Sequence, residues 1–299
     1  MHEPSGHRAD PSPSRRGLVS VCIPTYNSAA FVAETVESVL TQDYPAVEVV
    51  ISDHGSTDGT QELVERFTHD PRVRVVLGPP GGGAQANWNR ATDQAVGEYV
   101  KLVCADDPLY PGCLTKQVEA MEANPGVALV ASKRDIIDAA GSVVFRGRGL
   151  AGLEGRVPGA VAVRRAVLAG TNIFGEPSSV LMRTDALRES GPWSDALPYV
   201  IDVDMYVRVL RRGDLFGIAE PLATFRLSTS SWSLALSREQ AAQSRAFHEV
   251  VRAAYPEVSQ RDLRIGSLRA EANAWGRRLV YLLHRRRLAT PAPSTGPVG

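Results

Sequence analysis

Through the first half of the chain, short apolar runs alternate with amphipathic stretches, and few folds satisfy that order. Short apolar runs rich in β-branched residues lie at 18–23, 47–52, 73–77, 99–104 and 127–132, and stretches of helical spacing separate them. In the first such stretch Phe31, Thr35, Val36, Val39 and Leu40 recur at the interval of one helix face. The later stretches cover 58–68, 85–96 and 114–123. Strand–helix alternation of this kind predicts an α/β fold: a mainly parallel sheet with helices on both faces. In such sheets ligands bind outside the carboxyl ends of the strands, which directs attention to the loops after Ile23, Ser52, Leu77 and Cys104.

After Asp138 the pattern changes. Residues 141–145 read as a hairpin arm, 180–182 as a short strand, and 204–212 as a helix ending at Gly213. From about 236 to 288 the chain is helical and rich in Ala, Arg and Leu, a separate C-terminal helical segment. The ends, 1–16 and 290–299, carry Pro, Ser and Gly without a hydrophobic pattern and are expected to be disordered tails. A length of 299 residues suits one large domain with an appendage, or two small domains.

Lys plus Arg equals Asp plus Glu, 33 each, so the chain has no long-range pull on nucleic acid or anionic membrane. A phosphate-bearing partner must be held locally. Cys22, Cys104 and Cys113 have no CxxC spacing and read as buried reduced thiols. The polar N-terminal stretch lacks a signal-peptide core, and no run approaches the ~18 apolar residues of a membrane helix. A cytoplasmic location is the expectation.

The predicted loops are densely polar. The first strand ends in Pro24-Thr25-Tyr26-Asn27, offering hydrogen bonds and an aromatic face, although Asn27 or Ser28 also suits a plain helix cap. The second ends in Asp53-His54-Gly55-Ser56-Thr57-Asp58, more polar groups than one cap needs. The fourth delivers Asp106-Asp107. Adjacent carboxylates repel unless a cation or hydrogen bonds compensate. A magnesium-like ion takes one or two protein carboxylates and completes its shell with substrate phosphates. The same pair also suits a turn facing water. Further on, Asp202 and Asp204 flank Val203, with Arg208 one turn later. Asp204 and Arg208 suit an i,i+4 surface pair, which leaves Asp202 for chemistry.

In order and spacing, Pro24-Thr25-Tyr26-Asn27, Asp53-x-Gly55-Ser56-Thr57-Asp58, Ala105-Asp106-Asp107 with Leu109-Tyr110-Pro111, and Asp202-x-Asp204-x-x-x-Arg208 resemble the family 2 glycosyltransferases, which have the Rossmann-like GT-A fold. The connecting phrases Asn87-Trp88-Asn89-Arg90, Gly97-Glu98-Tyr99-Val100-Lys101 and Gly175-Glu176-Pro177-Ser178 also match, and the likeness runs from about Leu18 to Ser231. It implies a GT-A domain over 17–235 and the helical segment over 236–289. It implies an inverting single displacement that moves a sugar from a UDP-, dTDP- or GDP-linked donor to an acceptor hydroxyl, with Mn2+ or Mg2+. Pro24, Thr25, Tyr26, Asn27, Asp53, His54, Gly55, Asn87 and Asp106 would lie around the donor nucleotide. Asp107, with Asp106, would hold the metal, and Asp202 would be the catalytic base. Glu176, Pro177, Ser178, Asp204 and Arg226 would contact sugar or acceptor. The chain departs from the family pattern at His54 (usually Asp or Asn), at Cys104 (the first acid of an Asp-x-Asp-Asp run) and at Ser228 (often His).

Two rival readings stand beside this one. Gly81-x-Gly83-x-x-Ala86 formally satisfies a dinucleotide fingerprint, but it follows the third strand rather than the first. A non-catalytic sugar-nucleotide-binding protein of the same fold is the other. The basic, apolar stretch 279–287 suits either a peripheral membrane contact or a helix packed on its own domain. Trp232, Trp275 and Tyr281 suit acceptor contacts or core.

Overall fold

A computed structural model of the chain describes residues 14–228, 239–284 and 288. The expected tails therefore lie almost wholly outside the described residues, as do Trp232 and Arg285 to Arg287. The strands are β1 (Arg15–Thr25), β2 (Val47–Asp53), β3 (Val73–Leu77), β4 (Gly97–Leu102), β5 (Val127–Ile137), β6 (Val143–Arg148), β7 (Gly155–Val157), β8 (Val180–Arg183) and β9 (Asp214–Arg226). The α-helices are α1 (Val32–Leu40), α2 (Thr60–Glu65), α3 (Gly83–Asp93), α4 (Cys113–Ala123), α5 (Gly159–Ala169), α6 (Thr184–Glu189), α7 (Ile201–Val209), α8 (Gln240–Ala254) and α9 (Gln260–His284).

The strands form one sheet in the order β3-β2-β1-β4-β8-β5-β9-β7, with β6 paired to β5. β3, β2, β1 and β4 are all parallel. β8 runs antiparallel to both of its neighbours, while β5 and β9 pair in parallel. The strand order reverses at β1, so its exit loop lies between those of β2 and β4, the place where open α/β sheets bind ligands. Each central strand is covered on both sides. Along β1, Val19, Val21 and Ile23 enter one buried cluster while Cys22 enters the other. This period-2 division is why the first strand reads as an unbroken apolar run.

Several elements differ from expectation. β9, 13 residues long, was not expected, because Gly217, Glu220 and Pro221 break its apolar pattern. The register with β5 shifts where Ser132 pairs with Ile218 and Lys133 with Pro221, so a bulge absorbs the irregular residues. β5 continues to Ile137 beside it. α7 begins at Ile201, which brings Asp202 into the first turn. The C-terminal segment is two helices, separated where Tyr255 turns extended before Pro256. Both pack on the sheet domain. Phe247, Val251, Tyr255, Val258 and Leu263 share a buried cluster with α5 and α7. The outer face of α9 leaves Leu268, Trp275, Leu279, Leu282 and Leu283 exposed. No described helix is long and apolar enough to cross a membrane.

Candidate active site

The exits of β1 and β2 are sewn together by their own polar side chains. Asp53 is fully buried and accepts hydrogen bonds from Thr25 Oγ1, Ser56 Oγ, Gln61 Nε2 and the backbone N–H groups of Gly55 and Ser56. Burial pushes this carboxyl up, but the donors from Ser56, Gln61 and Thr25 outweigh it and hold Asp53 below the usual range. Asn27 sits at φ 47 and accepts from the Thr57 N–H at 2.9 Å. Asn87, on α3, accepts from Ser52 Oγ and donates to the Thr25 carbonyl. Thr25, Asn27, Asp53 and Asn87 therefore fix the loops with their polar atoms. What the exits present outward is the Tyr26 ring, 58% exposed, and the buried His54 lies beneath the surface with its ring at a steep angle to it, 6.2 Å away. Burial, then the charge of Arg90, lowers the basicity of His54.

The fourth exit carries Asp106 and Asp107. Asp107 is buried; its Oδ1 accepts from the Arg226 backbone N–H at 2.8 Å and its Oδ2 from Ser178 Oγ at 3.3 Å. Arg226 donates through Nε to the Asp106 carbonyl and through Nη2 to Glu34, and its guanidinium lies 4.6 Å over the Phe31 ring. Arg226 and Ser178 thus brace the acid pair from β9 and from the turn before β8. Burial raises both carboxyls, and the neighbouring Asp106 charge raises Asp107 further. Two desolvated acids side by side suit a divalent cation. Among the described residues no group of three or more His, Cys, Asp or Glu is arranged to hold an ion alone. The donor set thus fits a hard ion that takes one or two carboxylates and draws its other ligands from phosphate and water.

Asp106 and Asp107 open into a cavity that also contains Cys104, Glu176, Pro177 and Asp202. Asp202 Oδ1 accepts from the Val203 N–H and Oδ2 from Asn172 Nδ2 at 2.7 Å. Asn172 is itself fixed, because its Oδ1 accepts from the N–H groups of Phe174 and Gly175. Burial first, and the Glu176 charge second, push the Asp202 carboxyl up to about 7. Glu176 is bound by Arg134. The far wall belongs to the C-terminal helices, through Ser244, Phe247, His248 and Arg277.

Of the residues singled out from sequence, the fold gathers Asp106, Asp107, Glu176, Pro177 and Asp202 around this cavity. Pro24, Thr25, Tyr26, Asn27, Asp53, His54, Gly55 and Asn87 gather at the neighbouring exits of β1 and β2. Asp204 is turned away: two positions along a helix rotate it by about 200° from Asp202, and it pairs with Arg208 at 2.8 Å. Ser178 and Arg226 meet the acid pair rather than the cavity. Cys22 and Cys113 are buried free thiols, and Cys104 is half-buried. The glycine run Gly81 to Gly83 opens α3 after the edge strand β3, not after the first strand as a dinucleotide fingerprint would, and it lies beside His54 at the β2 exit. Asn172, Arg134, Arg277 and Glu34 carried no signal in sequence, since each gains its role through a partner distant in the chain.

The protein-family pattern named Glycosyl transferase family 2 matches residues 20–189. The Bacillus subtilis protein TuaG, named for teichuronic acid biosynthesis, is 39% identical over 105 residues, which are 35% of this chain and 42% of TuaG. The chain thus spans less than half the length of that relative. Staphylococcus aureus TarS 1–349, solved in complex with UDP-GlcNAc, superposes with a TM-score of 0.62 at 19% identity, covering 78% of this chain and 65% of TarS. The mannosyltransferase PcManGT of Pyrobaculum calidifontis, solved with GDP-Man and Mn2+, gives 0.60 at 20% identity over 93% of this chain and 79% of its own. These likenesses identify the fold as that of the GT-A glycosyltransferases.

Proposed function

The chain belongs to glycosyl transferase family 2, and from that premise we propose that it moves a sugar from a nucleoside-diphosphate donor to an acceptor hydroxyl with inversion at the anomeric carbon. The observation that carries the reading is the placement of Asp202. Its half-buried side chain, fixed by Asn172, opens into the same cavity as Asp106 and Asp107. Tyr26, His54 and the loops fastened by Thr25, Asn27, Asp53 and Asn87 receive the nucleotide. Complexes of UDP-GlcNAc with TarS and of GDP-Man with PcManGT support a nucleotide-sugar donor, without selecting the base or the sugar.

In this reading Asp202 takes the proton of the acceptor hydroxyl as its oxygen attacks the anomeric carbon, and the nucleoside diphosphate departs from the opposite face. A base must lie within hydrogen-bond reach of the proton and titrate near the working pH. A carboxyl held at about 7 meets the second condition. Val203 N–H and Asn172 Nδ2 occupy one lone pair on each oxygen and set the direction of the others. Asp107 and Asp106 would hold Mn2+ or Mg2+, which when bound stabilises the charge of the leaving diphosphate. Arg226 and Ser178 keep that pair in register.

The test is Asp202→Asn in the full chain. Turnover of a UDP- or GDP-sugar with Mn2+ should fall by about 10²–10⁴, the range for losing a general base. Calorimetry should find donor affinity nearly unchanged. Unaltered turnover would remove Asp202 from the role, and no donor binding by the parent chain would defeat the transferase reading itself.

A further inference from the structure

Beside the catalytic cavity runs a second groove, between the β5–β6 arm, the segment before β8 and the inner face of α9. The two share Thr171, Asn172, Glu176, Phe225 and Arg277, so the groove reaches Asp202 through the same Asn172 that orients it. It is open at the surface and lies on the side away from the β1 and β2 exits. On the transferase reading above, on which this step rests, a groove so placed leads the acceptor to the base.

Its chemistry is uneven in a way that selects. Phe145, Phe225 and Tyr281 line it, flat apolar faces against which the C–H face of a sugar ring can lie. Arg134, Arg148 and Arg277 also line it, and among the described residues Glu176 is the one acid in its lining. Glu176 is already bound by Arg134, which is itself buried. Arg148 is exposed, and Arg277 donates to Thr171 Oγ1 and lies 5.8 Å over the Tyr199 ring. Neither Arg148 nor Arg277 has a carboxylate partner among the described residues. The Nη1 of Arg134 is buried with no hydrogen-bond partner there. Guanidinium groups are suited to planar, two-pronged recognition of carboxylate and phosphate. In a chain with no net charge, this local excess of positive charge has no general electrostatic cause.

We infer that this groove is the acceptor subsite and that it takes an acidic saccharide, one bearing a carboxylate or a phosphate, with Arg148 and Arg277 holding the acid and the aromatic residues holding the ring. The probes are glucuronic acid, glucose 6-phosphate and glucose, titrated into the full chain and followed by NMR. At least one acid should bind about tenfold tighter than glucose, the scale of one hydrogen bond to a charged group. Which acid does so distinguishes a uronate from a phosphate acceptor. Arg148→Gln and Arg277→Gln should each erase most of that preference, and Arg148→Lys should restore part of it. Arg148 is a surface residue outside the donor loops, so its variants should fold and keep donor affinity. Glucose binding as well as both acids, no binding by either acid, or a preference that survives both Gln substitutions would overturn the inference. Donor affinity measured on the same samples separates the two readings: intact donor binding without acid preference counts against the groove alone.

Discussion

Asp202 shows how a residue of ordinary type acquires a working property from its surroundings. Burial and the nearby Glu176 charge both disfavour its ionised form, and the Val203 N–H and Asn172 only partly offset them. Two pH effects follow, of opposite sense. As a base it must be ionised, so kcat should rise with pH through about 7 and level off above it. A kcat flat from pH 5.5 to 8.5 would contradict this. Stability runs the other way. A carboxyl whose folded pKa is raised above its unfolded value contributes stability that is complete below about 4 and lost as pH rises through about 7. Asp202→Asn should therefore raise Tm relative to the parent chain at pH 8 and much less at pH 5, a difference that thermal unfolding at both pH values would measure. At this scale the sequence displayed the acids but not their surroundings. The i,i+4 spacing already offered Arg208 to Asp204, and the pair forms, but nothing in the string joined Asp202 to Asn172, 30 residues away, which only the start of α7 at Ile201 brings together.

Among the elements, the contact between α5 and α9 is close enough to be set by two glycines. A Cβ on Gly266 would lie 2.1 Å from the Val167 carbonyl oxygen, and one on Gly170 would lie 2.4 Å from the Gly266 carbonyl oxygen. Arg269, Asn273 and Arg277 extend the contact by donating to Leu168, Ala169, Gly170 and Thr171. Gly266→Ala should destabilise the protein by about 1–3 kcal/mol, the cost of overpacking a fitted contact. Gly276, in the same helix with open space where its Cβ would be, is the internal control. Gly276→Ala should be neutral or stabilising by up to about 1 kcal/mol. Chemical denaturation of the two variants would check the contrast, and equal effects would argue against backbone contact at Gly266. The apolar runs that announced β1, β2, β4 and β5 were strong because those strands are buried on both faces, whereas the edge strand β3 is only partly covered. β9 was missed because a bulge in its pairing with β5 accommodates Glu220 and Pro221, which no single-strand pattern predicts.

For the whole molecule, the C-terminal helices bear on the site as well as on stability. Phe247, His248 and Arg277 form a wall of the catalytic cavity, and Phe247, Val251 and Tyr255 complete a cluster seeded by α5 and α7. A chain ending at residue 235 should therefore bind a dye for exposed apolar surface and lose cooperative unfolding. A shortened chain as cooperative as the parent would show that the helices are an accessory. Periodicity and local chemistry are properties of neighbours in sequence, so the sequence alone determined the α/β class, the sheet-end loops and the acids they carry. Bringing Arg226 to Asp107, Asn172 to Asp202 and Arg277 beside both grooves closes gaps of roughly 30 to 120 residues. Those meetings depend on strand order, helix rotation and close backbone contact, which exist once the chain has folded and leave no mark on neighbouring residues.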